Sequence, residues 1–364
     1  MYLQELSVLN FKNHLESKMI FHPSINCFVG NNGSGKTNVL DAIHYLSLTK
    51  SFFTKQDQLN ITYQQPFMTV GGVFVNDEKE DYIQCAVKRG AKKVFRRNKK
   101  VYEKLAEHIG LFPLVMVSPT DSELLLSGSD VRRKYMDSVI SQFDKIYLQN
   151  LIQYNKLLAQ RNALLKQNRR DSNGLQLYDD QIAPLAQSLH EKRQEFVNEL
   201  VSIFLDYYTT ISGKDESMSI SYVSQLTKAN YLEGSLQNQD KDFAMQFSTF
   251  GIHKDDLEFS FQGQLVKRVG SQGQQKTYLL ALKLAQFDFM KKTLGFKPLL
   301  LLDDIFDKLD QHRVQHLMAL MHKHHFGQLF VTDTHPERTK QVFEKIHAEF
   351  KLFHLKDGNI EKEE

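Results

Sequence analysis

Eight residues constrain this chain more than any others: Gly30-Asn31-Asn32-Gly33-Ser34-Gly35-Lys36-Thr37. They fit G-x-x-x-x-G-K-[ST], a loop whose backbone N–H groups wrap phosphates. The flanks agree. Residues 25–29 are apolar and read as a short buried strand. Residues 38–48 carry Val39, Leu40, Ile43 and Leu46 at helical spacing. In a strand–loop–helix unit, glycine N–H groups and a helix N-terminus converge on an anion. Lys36 then reaches the β- and γ-phosphates of a nucleotide, and the Thr37 hydroxyl meets Mg²⁺. A glycine turn matching by chance has no reason to sit between such a strand and such a helix.

A second stretch complements the first. Pro298-Leu299-Leu300-Leu301-Leu302-Asp303-Asp304 is an apolar run ending in two carboxylates. An all-apolar strand is buried on both faces, as in a parallel sheet, and such sheets bind ligands beyond their C-terminal strand ends. Asp303 is placed to hold Mg²⁺, directly or through water, and Asp304 to orient or deprotonate the attacking water. A solvated strand end is the plainer alternative. Just upstream lies Gly270-Ser271-Gln272-Gly273-Gln274-Gln275-Lys276, followed by a helix bearing Leu279, Leu280, Leu282, Leu284, Ala285 and Phe287. A serine hydroxyl, glycine N–H groups and a helix dipole can face a γ-phosphate. A helix capped by Ser271 explains the same residues, and both readings stand at this point.

The 364 residues suffice for two lobes, with 41% hydrophobic and 24% charged residues, as in ordinary globular proteins. No apolar run is long enough to span a bilayer, and the N-terminus lacks a signal pattern. Cys27 and Cys85 are the only cysteines, so a reducing cytoplasm is expected. A net charge of +3 is too small to argue for nucleic acid by itself.

Residues 1–115 read as mixed strands with one strong helix. Strands at 68–75 and 82–88 are joined by an acidic turn at 76–81. From about 129 to 210 the period becomes helical, through Tyr147, Leu151, Tyr154, Leu158 and Leu165, then Ile182, Leu185, Leu189, Phe196, Leu200 and Ile203. A polar loop at 167–174 divides this region into a hairpin with arms of roughly 30 residues, about 45 Å each. Strands return at 218–223, 257–261, 299–302, 328–331 and 350–355, and the tail at 361–364 is expected to fray. The organisation expected is a discontinuous lobe of residues 1–115 and 218–364 around a helical lobe of 116–217.

The order of these motifs resembles that of ABC-type ATPases: phosphate loop, signature, then a buried strand with paired aspartates. Ser271-Gln272-Gly273-Gln274 is a degenerate form of the transporter signature Ser-Gly-Gly-Gln. Ile305-Phe306-Asp307-Lys308-Leu309-Asp310 resembles the D-loop, and Thr332-Asp333-Thr334-His335 follows the strand where that superfamily keeps a switch histidine. His335, Thr332 or Asp333 could fill that place; capping before Pro336 is the plainer account. Further blocks narrow the resemblance: Leu9-Asn10-Phe11-Lys12-Asn13, Ser118-Pro119-Thr120-Asp121, Arg132-Arg133-Lys134-Tyr135-Met136-Asp137 and Gly251-Ile252-His253-Lys254-Asp255-Asp256-Leu257. With the signature, they identify the chain as resembling the RecF family over essentially its whole length. Ile252 stands where proline is usual, and Lys12 and Lys254 where arginine is common.

The resemblance implies an α/β fold: an ABC-type ATPase head, a mixed sheet with the phosphate loop at its core, plus a helical lobe carrying a short antiparallel hairpin. It implies an ATP- and Mg²⁺-dependent homodimer, in which Lys36 and Thr37 of one subunit face Ser271 and Gly273 of the other. Asp304, Lys36 and His335 are its candidate catalytic residues. Gly30, Asn31, Asn32, Gly33, Ser34, Gly35, Lys36, Thr37, Asn10 and Lys12 are its candidate ATP contacts. Ser271, Gln272, Gly273 and Gln274 act in trans, and Thr37 and Asp303 hold the metal. The family's role is DNA repair, recombination and replication, including the SOS response. The dimer binds duplex and single-strand junctions and, with RecO and RecR, promotes RecA loading on gapped DNA coated with single-strand-binding protein. Slow, DNA-stimulated ATP hydrolysis would serve as a switch. No role beyond core or interface pairing is assigned to residues 253–256.

Candidate DNA contacts form a dense basic run: Lys88, Arg89, Lys92, Lys93, Arg96 and Arg97, with Lys99 and Lys100 beside them. A solvated basic hairpin is the plainer reading. Arg169 and Arg170 at the hairpin tip are weaker candidates. His322, His324 and His325 lack the carboxylate or cysteine partners of a metal site. A transporter ATPase would carry an intact signature and no intervening helical lobe, an SMC-like tether would need a longer coiled coil, and a fused nuclease would need more chain.

Overall fold

An apolar run with no polar face needs cover on both sides, and this requirement organises the first part of the fold. The structure, a computed structural model, describes all residues but 78, 168–169, 215, 309–318 and 320–325. Strands Tyr2–Phe11 (β1), His14–Ile20 (β2) and Ile25–Val29 (β3) lead into helix Lys36–Leu48 (α1). Strands Phe67–Asn76 (β4), Lys79–Lys88 (β5), Val94–Arg97 (β6), Lys100–Val101 (β7) and Leu114–Val117 (β8) follow. Next come helices Ser122–Leu126 (α2), Ser129–Ile140 (α3), Lys145–Lys166 (α4) and Ser172–Ser212 (α5), and strand Met218–Val223 (β9). Helices Tyr231–Gln237 (α6) and Gln239–Met245 (α7) precede strands Asp256–Phe261 (β10) and Gln264–Leu265 (β11), then helices Val266–Val269 (α8) and Gln272–Leu294 (α9). The chain closes with Leu299–Leu302 (β12), Ile305–Lys308 (α10), Leu329–Asp333 (β13), Pro336–Lys345 (α11), Phe350–Lys356 (β14) and Asn359–Glu363 (β15).

Two units result: Met1–Asp121 with Lys276–Glu364, and Ser122–Gln275. The first holds two six-stranded sheets. One is antiparallel, in the order β2-β1-β4-β5-β6-β7. The other is mixed, in the order β15-β14-β3-β13-β12-β8. Strand β13 pairs in parallel with both β3 and β12, with Val331 opposite Cys27 and Leu302. The loop after β3 and the aspartates after β12 therefore emerge at the same sheet edge, one strand apart. Helix α1 lies in a core shared by both sheets, where Leu3, Leu6, Met68 and Val70 meet Phe28, Leu299, Phe330 and Phe353. Eleven of its thirteen residues are buried, so the helix is enclosed on every side rather than one. Its polar residues find partners: Ser51 donates to Asp41 at 2.6 Å, and His44 Nδ1 lies 2.9 Å from Lys50 O.

The second unit departs from expectation in two ways. Its hairpin arms are unequal: 22 residues in α4 and 41 in α5. Helix α4 is short because Asp144 caps it, accepting from Tyr147 N, and separates it from α3. Helix α5 is long because buried positions recur from Leu175 to Ile211 without interruption, through Pro184. Residues 218–275 also belong to this unit rather than to the ATPase lobe. Among the described residues strand β9 pairs only with β10, and Arg132 of α3 grips Asp256 of β10 with two bonds of 2.6 and 2.9 Å. The tail does not fray: β15 pairs with β14, and Glu364 and Leu352 exchange two backbone bonds of 2.9 Å. Among the described residues, no helix is long and apolar enough to cross a membrane.

Two fully buried arginines hold the second unit together. Arg161 bonds Asp179 and Asp242, each at 2.7 Å. Arg193 bonds Asp137 and Asp255, each at 2.8 Å. Arg133 donates to Asp255 O at 2.7 Å, and His253 sits between Tyr154 and Ser248 O. The blocks at 132–137 and 251–257 are thus partners through Arg132, Arg133, Asp255 and Asp256, which gives Asp255 and Asp256 a core-pairing role, while Lys254 stays exposed. Breaking one such buried pair leaves a bare charge, so Arg193→Met is expected to cost about 3–5 kcal/mol, measured by denaturant unfolding.

Burial holds the imidazoles of His44, His108 and His253 neutral, with pKa values lowered to about 4. In the unfolded chain each protonates near 6.5. Between those values the unfolded state binds more protons, so stability falls as pH falls from 6.5 toward 4. Burial raises the carboxyls of Asp255 and Asp303, which offsets part of that loss at the acid end. The expected result is a thermal midpoint lower at about pH 5 than at neutrality.

Candidate nucleotide site

The phosphate loop leaves β3 at Gly30 and enters α1 at Gly35. Gly35 has φ +107°, a conformation closed to most side chains. A Cβ there would also lie 2.7 Å from His14 Nε2 and 3.0 Å from the Asn13 amide. The turn between β1 and β2 therefore rests directly on the loop. Asn13 donates to Gly33 O at 3.2 Å and accepts from Asn38 at 2.7 Å. The His14 ring nitrogens lie 3.0 Å from Gly35 O and 2.7 Å from Gly358 O. Gly358, at the tip of the β14–β15 hairpin, donates its N–H to Ser34 O at 3.0 Å.

Inside this frame Lys36 is buried, and its ammonium donates to Gly30 O at 2.8 Å and Asn31 O at 3.0 Å. The buried Ser34 Oγ has no hydrogen-bond partner among the described residues. Thr37 Oγ1 donates to Asp303 Oδ1 at 2.8 Å, joining the loop to the end of β12. Thr332 donates to the same oxygen at 2.9 Å, and Ser118 to Oδ2 at 3.4 Å. Burial pushes the Asp303 carboxyl above the usual range, against the pull of these three hydroxyls. Asp304 turns away from the strand with φ +46°, and its N–H is held by Thr332 Oγ1 at 2.8 Å.

Of the three switch candidates, Thr332 is the one bonded to both aspartates. Asp333 is buried under Arg338 and Thr339. His335 stands exposed beside Thr334. Asn10 and Lys12 both have positive φ, and the Lys12 ammonium pairs with buried Asp41 at 2.6 Å between the rings of Phe11 and Phe53. Leu309, Asp310, Arg169, His322, His324 and His325 lie outside the described residues. Asn13 and Ser118 stood in the sequence only inside family blocks with no role given, and His14, Asp41 and Gly358 were not singled out at all. Their contacts join residues up to 344 positions apart, which no local pattern announces.

In the second unit, Ser271 and Gln274 cap α9 reciprocally. Ser271 Oγ accepts from Gln274 N at 3.2 Å, and Gln274 Oε1 accepts from Ser271 N at 2.9 Å. The cap is real, and it leaves the serine proton available to a ligand. The basic run divides. Lys93 is bound to Asp57 and Thr49 O, and Arg97 makes two 2.7 Å bonds to Asp81, whose carboxyl this guanidinium holds below the usual range. Arg89 donates to Gln65 O. Lys88, Lys92 and Arg96 remain exposed. Arg170 lies 3.6 Å from Asp240.

The RecF/RecN/SMC N terminal domain family matches residues 2–361. The DNA replication and repair protein RecF of Flavobacterium johnsoniae is 46% identical over 98% of this chain and 100% of its own length. RecF of Parabacteroides distasonis is 46% identical, over 99% of both. A solved structure of the recombination mediator protein RecF-ATP in the RecFOR pathway superposes with TM-score 0.88 at 28% identity, over 99% of this chain and 97% of the other. The Smc head domain from Pyrococcus furiosus shares the fold at TM-score 0.56 and 17% identity, over 100% and 96% of the two chains.

Proposed function

This chain belongs to the RecF family, and on that footing we propose that it is an ATP-gated DNA-binding protein of recombinational repair and replication. The observation that carries the reading is the Thr37–Asp303–Thr332 cluster beside a lysine buried in a phosphate loop. Phosphate oxygens would replace the two loop carbonyls as acceptors for Lys36 and would give the orphaned Ser34 hydroxyl a partner. The hydroxyl of Thr37 and the carboxylate of Asp303 are hard oxygen donors of the kind Mg²⁺ takes together with phosphates. Among the described residues no cluster of three or more His, Cys, Asp or Glu forms a metal cage, and a nucleotide-borne Mg²⁺ needs none. When held there by Thr37 and Asp303, the ion would supply positive charge that offsets the negative charge developing on the phosphates.

Asp304 then takes a proton from the attacking water, while Lys36 holds the γ-phosphate. Ser271 and Gly273 of a second copy complete the site, so ATP closes a homodimer and slow hydrolysis opens it. The closed dimer grips duplex and duplex–single-strand junctions and, with RecO and RecR, promotes RecA loading at gaps. The test is ATP turnover against protein concentration, with and without gapped DNA, at fixed salt. Turnover per subunit that rises with both supports the reading, and turnover flat in both defeats it.

For the DNA surface, exposure favours Lys88, Lys92 and Arg96 over the ion-paired Lys93 and Arg97. Lys88→Glu with Arg96→Glu is expected to flatten the slope of log K against log salt by about 2. An unchanged slope in a filter-binding titration would move the DNA surface elsewhere.

A further inference from the structure

We infer that Glu216 is a positioning residue for the signature loop, setting through Gln274 how Ser271 is presented. The inference rests on the composite-site reading above. The Gln274 side-chain amide donates to Glu216, with its nitrogen 3.3 and 3.2 Å from the two carboxylate oxygens. The hydroxyl of Tyr208, in the last turns of α5, donates to the same carboxylate at 2.5 Å. The backbone at and just after that carboxylate is held as β9 begins. Glu216 O accepts from Met218 N at 2.7 Å, and Ser217 O accepts from Gln262 N at 2.8 Å.

Gln274 therefore has two jobs. Its carbonyl oxygen holds Ser271 N, and its amide is anchored to a charged acceptor outside the helix. A reciprocal cap needs only Ser271 and Gln274, so Glu216 adds nothing that α9 requires for its own termination. What it adds is registry. Hydrogen bonds to a carboxylate are stronger than neutral ones. With the amide fixed, the rotamer of Gln274 is fixed, and with it the direction in which Ser271 can offer its proton. The same carboxylate ties the foot of a 41-residue helix to the first turn of α9. A shift at the foot of α5 would reach the serine through three successive hydrogen-bonded links, Tyr208 to Glu216, Glu216 to Gln274 and Gln274 to Ser271.

The test compares the full-length protein with Glu216→Ala, Glu216→Gln and Ser271→Ala. Amide hydrogen exchange at residues 271–276 reads the capped first turn of α9 itself. Affinity for a fluorescent ATP analogue in dilute protein reads the phosphate loop. Turnover against protein concentration reads the composite site. Glu216→Ala is expected to speed exchange at those amides and lower turnover about fivefold to tenfold, as loss of one hydrogen bond of ordinary strength would. Analogue affinity should stay within about twofold of the parent. Glu216→Gln keeps an acceptor oxygen and should recover most of the turnover. Unchanged exchange in Glu216→Ala overturns the inference. Faster exchange with unchanged turnover does so too, because the contact would then be structural only. If Ser271→Ala impairs turnover and Glu216→Ala does not, this inference fails alone. If Ser271→Ala has no effect, the composite-site reading fails and takes this inference with it.

Discussion

Lys36→Met is expected to weaken ATP binding by roughly 100-fold, corresponding to about 3 kcal/mol of lost charge-assisted bonding to phosphate. The ammonium is buried within the loop and bonded to Gly30 O and Asn31 O, where a phosphate would meet it. Methionine fills the same volume but leaves the phosphate charge uncompensated in a site screened from water. Isothermal titration with ATP and Mg²⁺ measures the loss. A thermal midpoint close to the parent's separates it from unfolding, since the frame around the loop comes from Asn13, His14 and Gly358, which the substitution leaves in place. Near-normal affinity in this variant would remove the phosphate loop from the account.

Asp304→Asn is expected to spare binding and to impair turnover. ATP affinity should persist, because Thr37 and Asp303 are untouched. Turnover should fall about 100-fold to 10,000-fold, the range over which a positioned general base contributes. The substitution is quiet for the backbone: Asp304 has φ +46°, and asparagine visits that region as readily as aspartate. With hydrolysis blocked, the ATP-closed dimer should accumulate, and light scattering with ATP and Mg²⁺ should report a doubled mass. A monomer under those conditions would count against a site shared between copies.

Much of this site was legible beforehand because its key residues are local words. Gly30 to Thr37 and Leu299 to Asp304 each carry their chemistry within eight residues, and β3 and β12 formed where apolar runs demanded two-sided cover. The hairpin was legible as helix but not in its proportions. Periodicity marks a helical face, whereas the arm lengths depend on where Asp144 and Asp171 cap and on Pro184 being accommodated. The basic run was legible as charge but not as surface. Lys93 and Arg97 have carboxylate partners at Asp57 and Asp81, and a count of positive residues cannot show that.

The sequence by itself determined the class of chemistry. A glycine loop with lysine and threonine, a buried strand ending in two carboxylates, and a serine-capped helix are chemical statements about phosphate, fixed by residue type and short spacing. Only the tertiary structure decided which groups work together. Strand β13 sets the loop and the aspartates one strand apart, Thr332 joins Asp303 to Asp304, His14 ties the loop to Gly358, and Glu216 reaches Gln274 across 58 residues. Such partners are chosen by sheet order and packing. Those satisfy buried polar groups across any distance in the chain, and they leave no periodic trace in it.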